Sequence, residues 1–444
     1  MAVTLKKLVD PARWRHVLER TMENRRRRSL DETLDTAWAE RGPVSLEDGP
    51  ATVIVDAMWY NPNHFLRLRL FLESLATKQR FRILGILLSR SARRERRALE
   101  RLGVREFIYL EEDEEFQTDG FLKAADALLA TAQNHSDFLS LDLPHGLPAY
   151  VVYDTALRIA RDPQPALDNP VWRQSLAETL RNLAIYEREL TDRCVSEVAL
   201  SHPWKAEWGT LVWLALEQTI PVYHLTGYVE AMRIRRFRSR ADFFSPVEHL
   251  SATAFDTLPA GIREELVRIG ESQLERRTAG GSNDINARHA FRPSARIDER
   301  SRAREVLAGE NGRPVITVYG HVWYDFPHTF SMSNFTDFRD WMELTLRHVA
   351  TLDDVTWLIK PHPTEGWYDG FRLAELMRAP PAHVRLLPPE VDNKTVLNAS
   401  DCIVTVHGTV GLEAAAFGLP VLLADNSYFS DWDFAHLATD RTDY

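Results

Sequence analysis

The chain has 444 residues, 44% apolar and 27% charged, with a net charge of −10. That length accommodates two or three domains with sizeable cores, and the negative balance excludes a general nucleic-acid binder, which needs a basic face. Its two cysteines, Cys194 and Cys402, lie far apart in apolar-rich surroundings and form neither a disulfide framework nor a metal-ligand spacing, so a reducing, cytoplasmic setting is expected. No run approaches the roughly 18 apolar residues of a membrane span, and the opening MAVTLKKLVD lacks the apolar core of a signal peptide.

Residues 1–45 read as a basic helical arm. Within 1–30, nine Lys/Arg stand against three acidic residues, with Leu5, Leu8, Trp14 and Leu18 at helical spacing. Such a helix either packs on the main body or makes peripheral contact with an anionic membrane.

Past the arm, short β-branched runs alternate with helical patterns. Strands are expected at 52–56, 81–88, 106–110, 195–200 and 221–225, with helices beginning near Phe65, Arg93 and Thr210. This alternation implies βαβ units and a parallel sheet, so 46–270 is expected to be one Rossmann-like domain with helical insertions. Residues 271–300, which contain Gly280-Gly281, read as a linker or mobile loop. In 301–444, strands at 315–319, 355–359, 384–387, 402–406 and 421–424 alternate with helices near 334–350, 367–378, 393–399 and 409–418, giving a second Rossmann-like domain. The chain stops soon after the last of these strands.

Ligands of open parallel sheets bind beyond the C-terminal strand ends, so the residues that follow each strand are the candidates. In the second half these are Gly320 to Asp325, Lys360 to Pro363, His407 to Glu413 and Asp425 to Tyr428. Gly408 and Gly411 let a backbone approach a ligand. Thr409 stands at a helix start, where unpaired N–H groups and the positive helix end accept phosphate; the bland alternative is a turn capped by Thr409. Glu413, one turn further, can accept from a ribose hydroxyl. His362, fixed between two prolines and beside Lys360, suits phosphate binding or protonation of a leaving group. Asp325, the only carboxylate of its loop, either acts as nucleophile or base or orients His321 or His328.

In the first half, Asp56, Asn61 and His64 follow the first strand, and His202, Trp204 and Glu207 follow a later one. They are candidates for acceptor contacts, with Glu207 a further candidate carboxylate. Trp59, Tyr60 and Trp204 either stack on sugars or pack internally. The stretch Arg233, Arg235, Arg236, Arg238 and Arg240 either meets an anionic ligand or forms a solvated loop. No metal-ligand spacing is present.

Lys360-Pro361-His362-Pro363, together with HGTVGLEAAAFGLPVLLADNSYF over 407–429, resembles the capsule polysaccharide biosynthesis family, which includes the bacterial Kdo transferases and is distantly similar to bacterial sialyltransferases. The resemblance covers about 314–430. It implies an α/β, GT-B-like fold with two Rossmann-like domains facing across a cleft. It also implies that His362 and Thr409 contact the nucleotide phosphate and that Asp325 is placed as a nucleophile. The expected activity is sugar transfer from a nucleotide-sugar donor, CMP-Kdo among the candidates, to a surface or capsular glycan or glycolipid, with no obligatory metal or other cofactor. The alternatives are a sugar-nucleotide epimerase, a polyol-phosphate transferase and a non-catalytic glycan-binding assembly protein.

Overall fold

Runs of buried apolar residues produce two parallel sheets. In β1 (Ala51–Asp56) every residue after the first is buried, and in β2 (Phe81–Leu87) every residue but Arg82. Such runs mark strands covered on both faces. The computed structural model describes residues 49–228, 231–244 and 251–444, apart from 283, 311, 331 and 368–369, together with single positions between 29 and 44. The arm expected over 1–45 therefore lies almost wholly outside the described residues.

The first sheet has the order β3-β2-β1-β4-β5-β6, with β3 Glu106–Tyr109, β4 Val195–Leu200, β5 Val222–Tyr228 and β6 Ala231–Phe237. β1 to β5 run parallel, and β6 pairs antiparallel with β5. The five expected strands of this half are all present. β6 was not expected: its arginines read as a loop, yet Phe237 and Arg235 are buried while Arg233 and Arg236 are exposed. Arg235 donates to the Asp242 carbonyl at 3.2 Å, and Arg240 pairs with Glu217 at 3.1 Å. Charged side chains on an edge strand discourage pairing with a further strand, which explains a strand written in arginine.

The second sheet has the order β12-β11-β10-β7-β8-β9. Its strands are β7 Val315–Tyr319, β8 Thr356–Lys360, β9 Val384–Leu386, β10 Cys402–Thr405, β11 Val421–Leu423 and β12 His436–Leu437. All pairs are parallel. Numbered from β7, this is the doubly wound order 3-2-1-4-5-6, with β7 and β10 adjacent at the point where the winding reverses. The expected helix at 334–350 appears as Phe338–Thr351, capped by Asp337, with Phe338, Trp341 and Met342 buried. The helix expected over 367–378 shrinks to Leu373–Leu376. After β12 the chain returns over Phe338–Thr351, where Arg441 pairs with Asp340 at 2.6 Å and the Tyr444 hydroxyl meets Trp341 Nε1 at 3.0 Å.

By internal contacts the chain divides into two units. One comprises the chain up to Ala124 with Ala177–Phe243; the other comprises Ala125–Leu176 with Phe244–Tyr444. The stretch expected as a single domain, 46–270, is thus interrupted. Residues 125–176 belong with the second sheet, because Tyr153 donates to Asp337 at 2.7 Å and Asp154 accepts from His328. The expected linker is also structured: the helix Ala260–Thr278 ends in a glycine cap, with Gly280 at φ +75 and Gly281 N–H donating to the Arg276 carbonyl at 2.9 Å. No helix among the described residues is long and apolar enough to cross a membrane.

Candidate functional site

β7 and β10 end side by side in the second unit, and the loops after β7, β8 and β10 line one cleft. Cross-links between the loops hold it. Glu365 Oε1 accepts from Trp323 Nε1 at 3.0 Å and from Leu373 N–H at 2.8 Å, which joins the β7 loop to the β8 loop. Ser427 Oγ donates to the His407 carbonyl at 3.2 Å, so the β11 loop props the β10 loop. Asp425 is fully buried and accepts from the backbone N–H groups of Ser333, Asn334 and Asn426; it is a brace.

Three imidazoles gather at this switch point. The His321 ring centroid lies 5.2 Å from His407 and 5.9 Å from His362, and Phe338 packs against His321 at 4.4 Å. His362 is pushed down to about 3 by burial, with His321 and Lys360 adding to the effect. Burial lowers His321 and His407 as well. The rings are therefore neutral at neutral pH. Thr364 N–H donates to His362 Nδ1 at 3.3 Å, and the Thr364 hydroxyl lies 2.8 Å from the same nitrogen. That arrangement fixes Nδ1 as the acceptor and places the proton on Nε2.

The helix Thr409–Ala416 starts in the cleft. Its N-cap is Gly408, not the Thr409 expected in the bland reading, and no side chain caps it. Its first N–H groups have no intrahelical acceptor and meet the cleft with the positive helix end. A Cβ on Gly408 would approach Thr405 Oγ1 to 2.9 Å, and this hydroxyl already accepts from Gly408 N–H at 3.2 Å. Gly411 serves a different purpose from the one expected: a Cβ there would meet the Phe429 ring at 3.0 Å and Val421 at 3.2 Å, so this glycine lets the helix sit close on β11 and does not line the cleft.

Further lining of the cleft comes from the segment that read as a linker. Arg277 and Asp284 line the cleft, Arg277 ion-pairs with Glu413, and it reaches Asp284 at 2.9 Å. Glu413 is thus engaged by Arg277, and burial raises its pKa despite that guanidinium. Tyr319 and Asn393 also line the cleft. Sequence reasoning missed all four, although Tyr319 closes an expected strand and Asn393 opens an expected helix.

Asp325 lies at the rim, its carboxylate about half exposed and paired with Arg158 at 3.1 Å. Burial between Tyr324 and Phe326 does not enclose it. The following residue, Phe326, sits at φ +53, a left-handed conformation that bulky residues rarely adopt and that clusters at functional loops. Asp325 does not orient His328, whose Nδ1 lies 2.7 Å from Asp154 Oδ1. Lys360 departs from expectation too. It is fully buried, donates to the Pro389 carbonyl at 2.7 Å and does not line the cleft.

In the first unit the candidates are mostly structural. Asp56 is fully buried and accepts from Ser201 N–H at 2.6 Å, Ser201 Oγ at 2.6 Å and Trp208 Nε1 at 2.7 Å, tying β1 to β4. His64 is buried against it, with Nε2 3.0 Å from the Asp56 carbonyl. Asn61 caps the helix Pro62–Ala76 by accepting from Asn63 N–H. Glu207 ion-pairs with Lys205, and the His202 ring packs against Trp204 and Trp208. Of the aromatics, Trp59 is half exposed, with its indole N–H on Ser201 Oγ at 3.3 Å; Tyr60 is covered by Arg94 at 3.6 Å. Among the described residues no His, Cys, Asp and Glu cluster has the geometry to hold a metal ion.

No protein-family model matches the chain, and neither does any curated protein sequence. Solved structures similar to it include the β-Kdo 2,4-transferase of Thermosulfurimonas dismutans KpsC, 14% identical over 56% of this chain and 75% of that one, with a TM-score of 0.34. A UDP-GlcNAc 2-epimerase of Methanocaldococcus jannaschii, solved with UDP-GlcNAc and UDP, is 11% identical over 88% of this chain and 90% of that one, with a TM-score of 0.28. A glycosyltransferase of Rickettsia africae is 10% identical over 89% and 86%, also with a TM-score of 0.28. At these scores the likenesses carry no functional assignment. The fold class, α/β with two Rossmann-like sheets, rests on the strand order of the chain itself.

Proposed function

We propose that this protein is a glycosyltransferase that binds the phosphate of a nucleotide-sugar donor in the histidine-lined cleft and moves the sugar to a glycan acceptor. The observation that carries this reading is the convergence of His362, His321 and the uncapped start of Thr409–Ala416 on one cleft at the switch point of a doubly wound sheet, with His407 buried behind His321 and outside the lining. Neutral N–H donors and a helix N-terminus stabilise an anion without a metal. In transfer the bond from the anomeric carbon to the phosphate oxygen breaks, and negative charge grows on that oxygen. His362 Nε2–H donates to it, and Asp325 at the rim acts on the anomeric carbon or takes the proton of the acceptor hydroxyl.

The experiment is incubation of the full chain with CMP-, CDP-, UDP- and GDP-linked sugars, with and without glycan acceptors, followed by product analysis. A new glycosidic bond and free nucleotide are expected. An epimerised donor with no new bond makes the protein an epimerase, transfer of a polyol phosphate makes it a polyol-phosphate transferase, and neither turnover nor hydrolysis leaves a glycan-binding assembly protein.

A further inference from the structure

Besides His321, His362 and the start of Thr409–Ala416, the cleft is lined by a second chemical group, Tyr319, Asn393, Arg277, Asp284 and Glu413, and two polar atoms of this group stand out. Tyr319 and Asn393 are each 5% exposed, and neither Tyr319 Oη nor Asn393 Oδ1 has a hydrogen-bond partner among the described residues. Leaving a buried hydroxyl or amide carbonyl unsatisfied costs about 1–3 kcal/mol each. Two such atoms on residues that line one cleft call for a partner that the described residues do not supply.

The surrounding charge says which ligand group belongs there. Burial raises the Tyr319 phenol well above its ordinary value, and Glu413 and Asp392 push it the same way. It is therefore a neutral hydroxyl in a carboxylate-rich setting. The Arg277 guanidinium is already shared between Glu413 and Asp284. A phosphate would be repelled by these carboxylates and drawn to the imidazoles and the helix start. A neutral group that both donates and accepts is suited to Tyr319 and Asn393: Asn393 Oδ1 needs an N–H or O–H, and the phenol serves either role.

We propose that Tyr319 and Asn393 form the nucleoside subsite of the cleft, hydrogen-bonding the base or ribose of the donor while its phosphate contacts His362 and the helix start. This rests on the reading of the cleft as a nucleotide-sugar site and adds to it a direction for the nucleotide and the residues that discriminate among nucleosides. A hydroxyl kept unpaired in the empty protein sacrifices stability for recognition.

The test uses the full chain and titrates CMP, UMP, GMP, AMP and inorganic pyrophosphate into wild type, Tyr319→Phe, Asn393→Ala and His362→Ala. Tyr319→Phe and Asn393→Ala are expected to weaken the best-bound nucleotide about fivefold or more, on the scale of one lost hydrogen bond, while pyrophosphate binding stays within about twofold. His362→Ala should weaken both ligands. Ligand-free Tyr319→Phe should melt at the wild-type temperature or above it, since it deletes an unsatisfied group. Equal losses for nucleotide and pyrophosphate, unchanged nucleotide binding in both subsite variants, or a lowered melting temperature for ligand-free Tyr319→Phe would each overturn the subsite. If wild type and His362→Ala differ as expected while the subsite variants match wild type, only the subsite fails. If wild type binds no nucleotide, the subsite and the nucleotide-sugar reading fail together.

Discussion

Arg158 and Asp325, 167 residues apart in sequence, form an ion pair of 3.1 Å at the rim of the cleft. Arg158 comes from the helix Tyr150–Ala160, which also supplies Asp154 to His328. A helix from the first half of the chain therefore helps place the Asp325 carboxylate of the β7 loop.

Both partners are substantially exposed, so the pair should contribute little to stability, about 0–1 kcal/mol. Asp325→Asn is expected to keep the melting temperature and the donor affinity near wild type and to lower turnover by about a hundredfold or more, the scale of a lost acid or base. Steady-state kinetics beside donor titration checks this. Turnover near wild type would remove Asp325 from the reaction.

The buried imidazoles make a statement about pH. His362 is held down to about 3 chiefly by burial, and His321 and His407 are lowered by the same cause. In the unfolded chain these rings take up protons near pH 6.5. Below that pH the unfolded state binds more protons than the folded one, so stability falls as pH drops from about 6.5 toward 3 and is complete above that window. Urea unfolding between pH 7.5 and 5 should show this fall, and His362→Asn should flatten it. Because His362 donates Nε2–H as a neutral ring, nucleotide binding near pH 7.5 should take up no proton there, measurable by calorimetry in buffers of different ionisation heat; uptake of a full proton would contradict the neutral donor.

Lys360 gives the corresponding effect at higher pH. Burial pushes it down to about 7, although its ammonium reaches the Pro389 carbonyl. Between about 7 and 10.4 the unfolded chain holds a proton that the folded chain lacks, so this group raises stability with pH by up to about 1.4 kcal/mol per unit. Lys360→Met should abolish that rise between pH 7.5 and 9 in denaturant titrations while nucleotide affinity stays within about threefold, because the side chain lies outside the cleft. A large loss of affinity would return Lys360 to the site.

The two glycines of the β10 loop should separate binding from packing. Gly411→Ala pushes a methyl against Phe429 and Val421 and should cost about 1–3 kcal/mol of stability, as overpacking does. Gly408→Ala crowds the Thr405 hydroxyl in the cleft and should weaken nucleotide binding more than it lowers the melting temperature. Indistinguishable behaviour of the two variants would contradict this division of roles.

The alternation of short apolar runs with helical patterns made ten of the twelve strands among the described residues legible, because a strand buried on both faces carries its burial in composition. β6 escaped because three of its seven residues are arginines, and only Arg235 and Phe237 are buried among Arg233 to Phe237. The cleft residues on strand ends and helix starts, His321, His362, Gly408 and Thr409, were legible from position alone. Arg277 and Asp284 were not, because a glycine pair that caps a helix looks the same in sequence as one that loosens a linker. Asp56, His64 and Asn61 occupied the right strand end yet proved to be a buried tie and a helix cap. Polar residues at a switch point serve the fold as readily as a ligand, and only their partners distinguish the two.

The central claim is that a nucleotide binds through its phosphate in the cleft held by His362 and the start of Thr409–Ala416. The most direct measurement is calorimetric titration of CMP, CDP, UDP and GDP into the full chain and into His362→Ala, with circular dichroism to show that both are folded. The account predicts that at least one nucleotide binds the wild-type chain and binds His362→Ala about tenfold or more weakly, the loss of a hydrogen bond to a charged group. Equal affinity for the two proteins, or no binding of any nucleotide to the wild type, would contradict it.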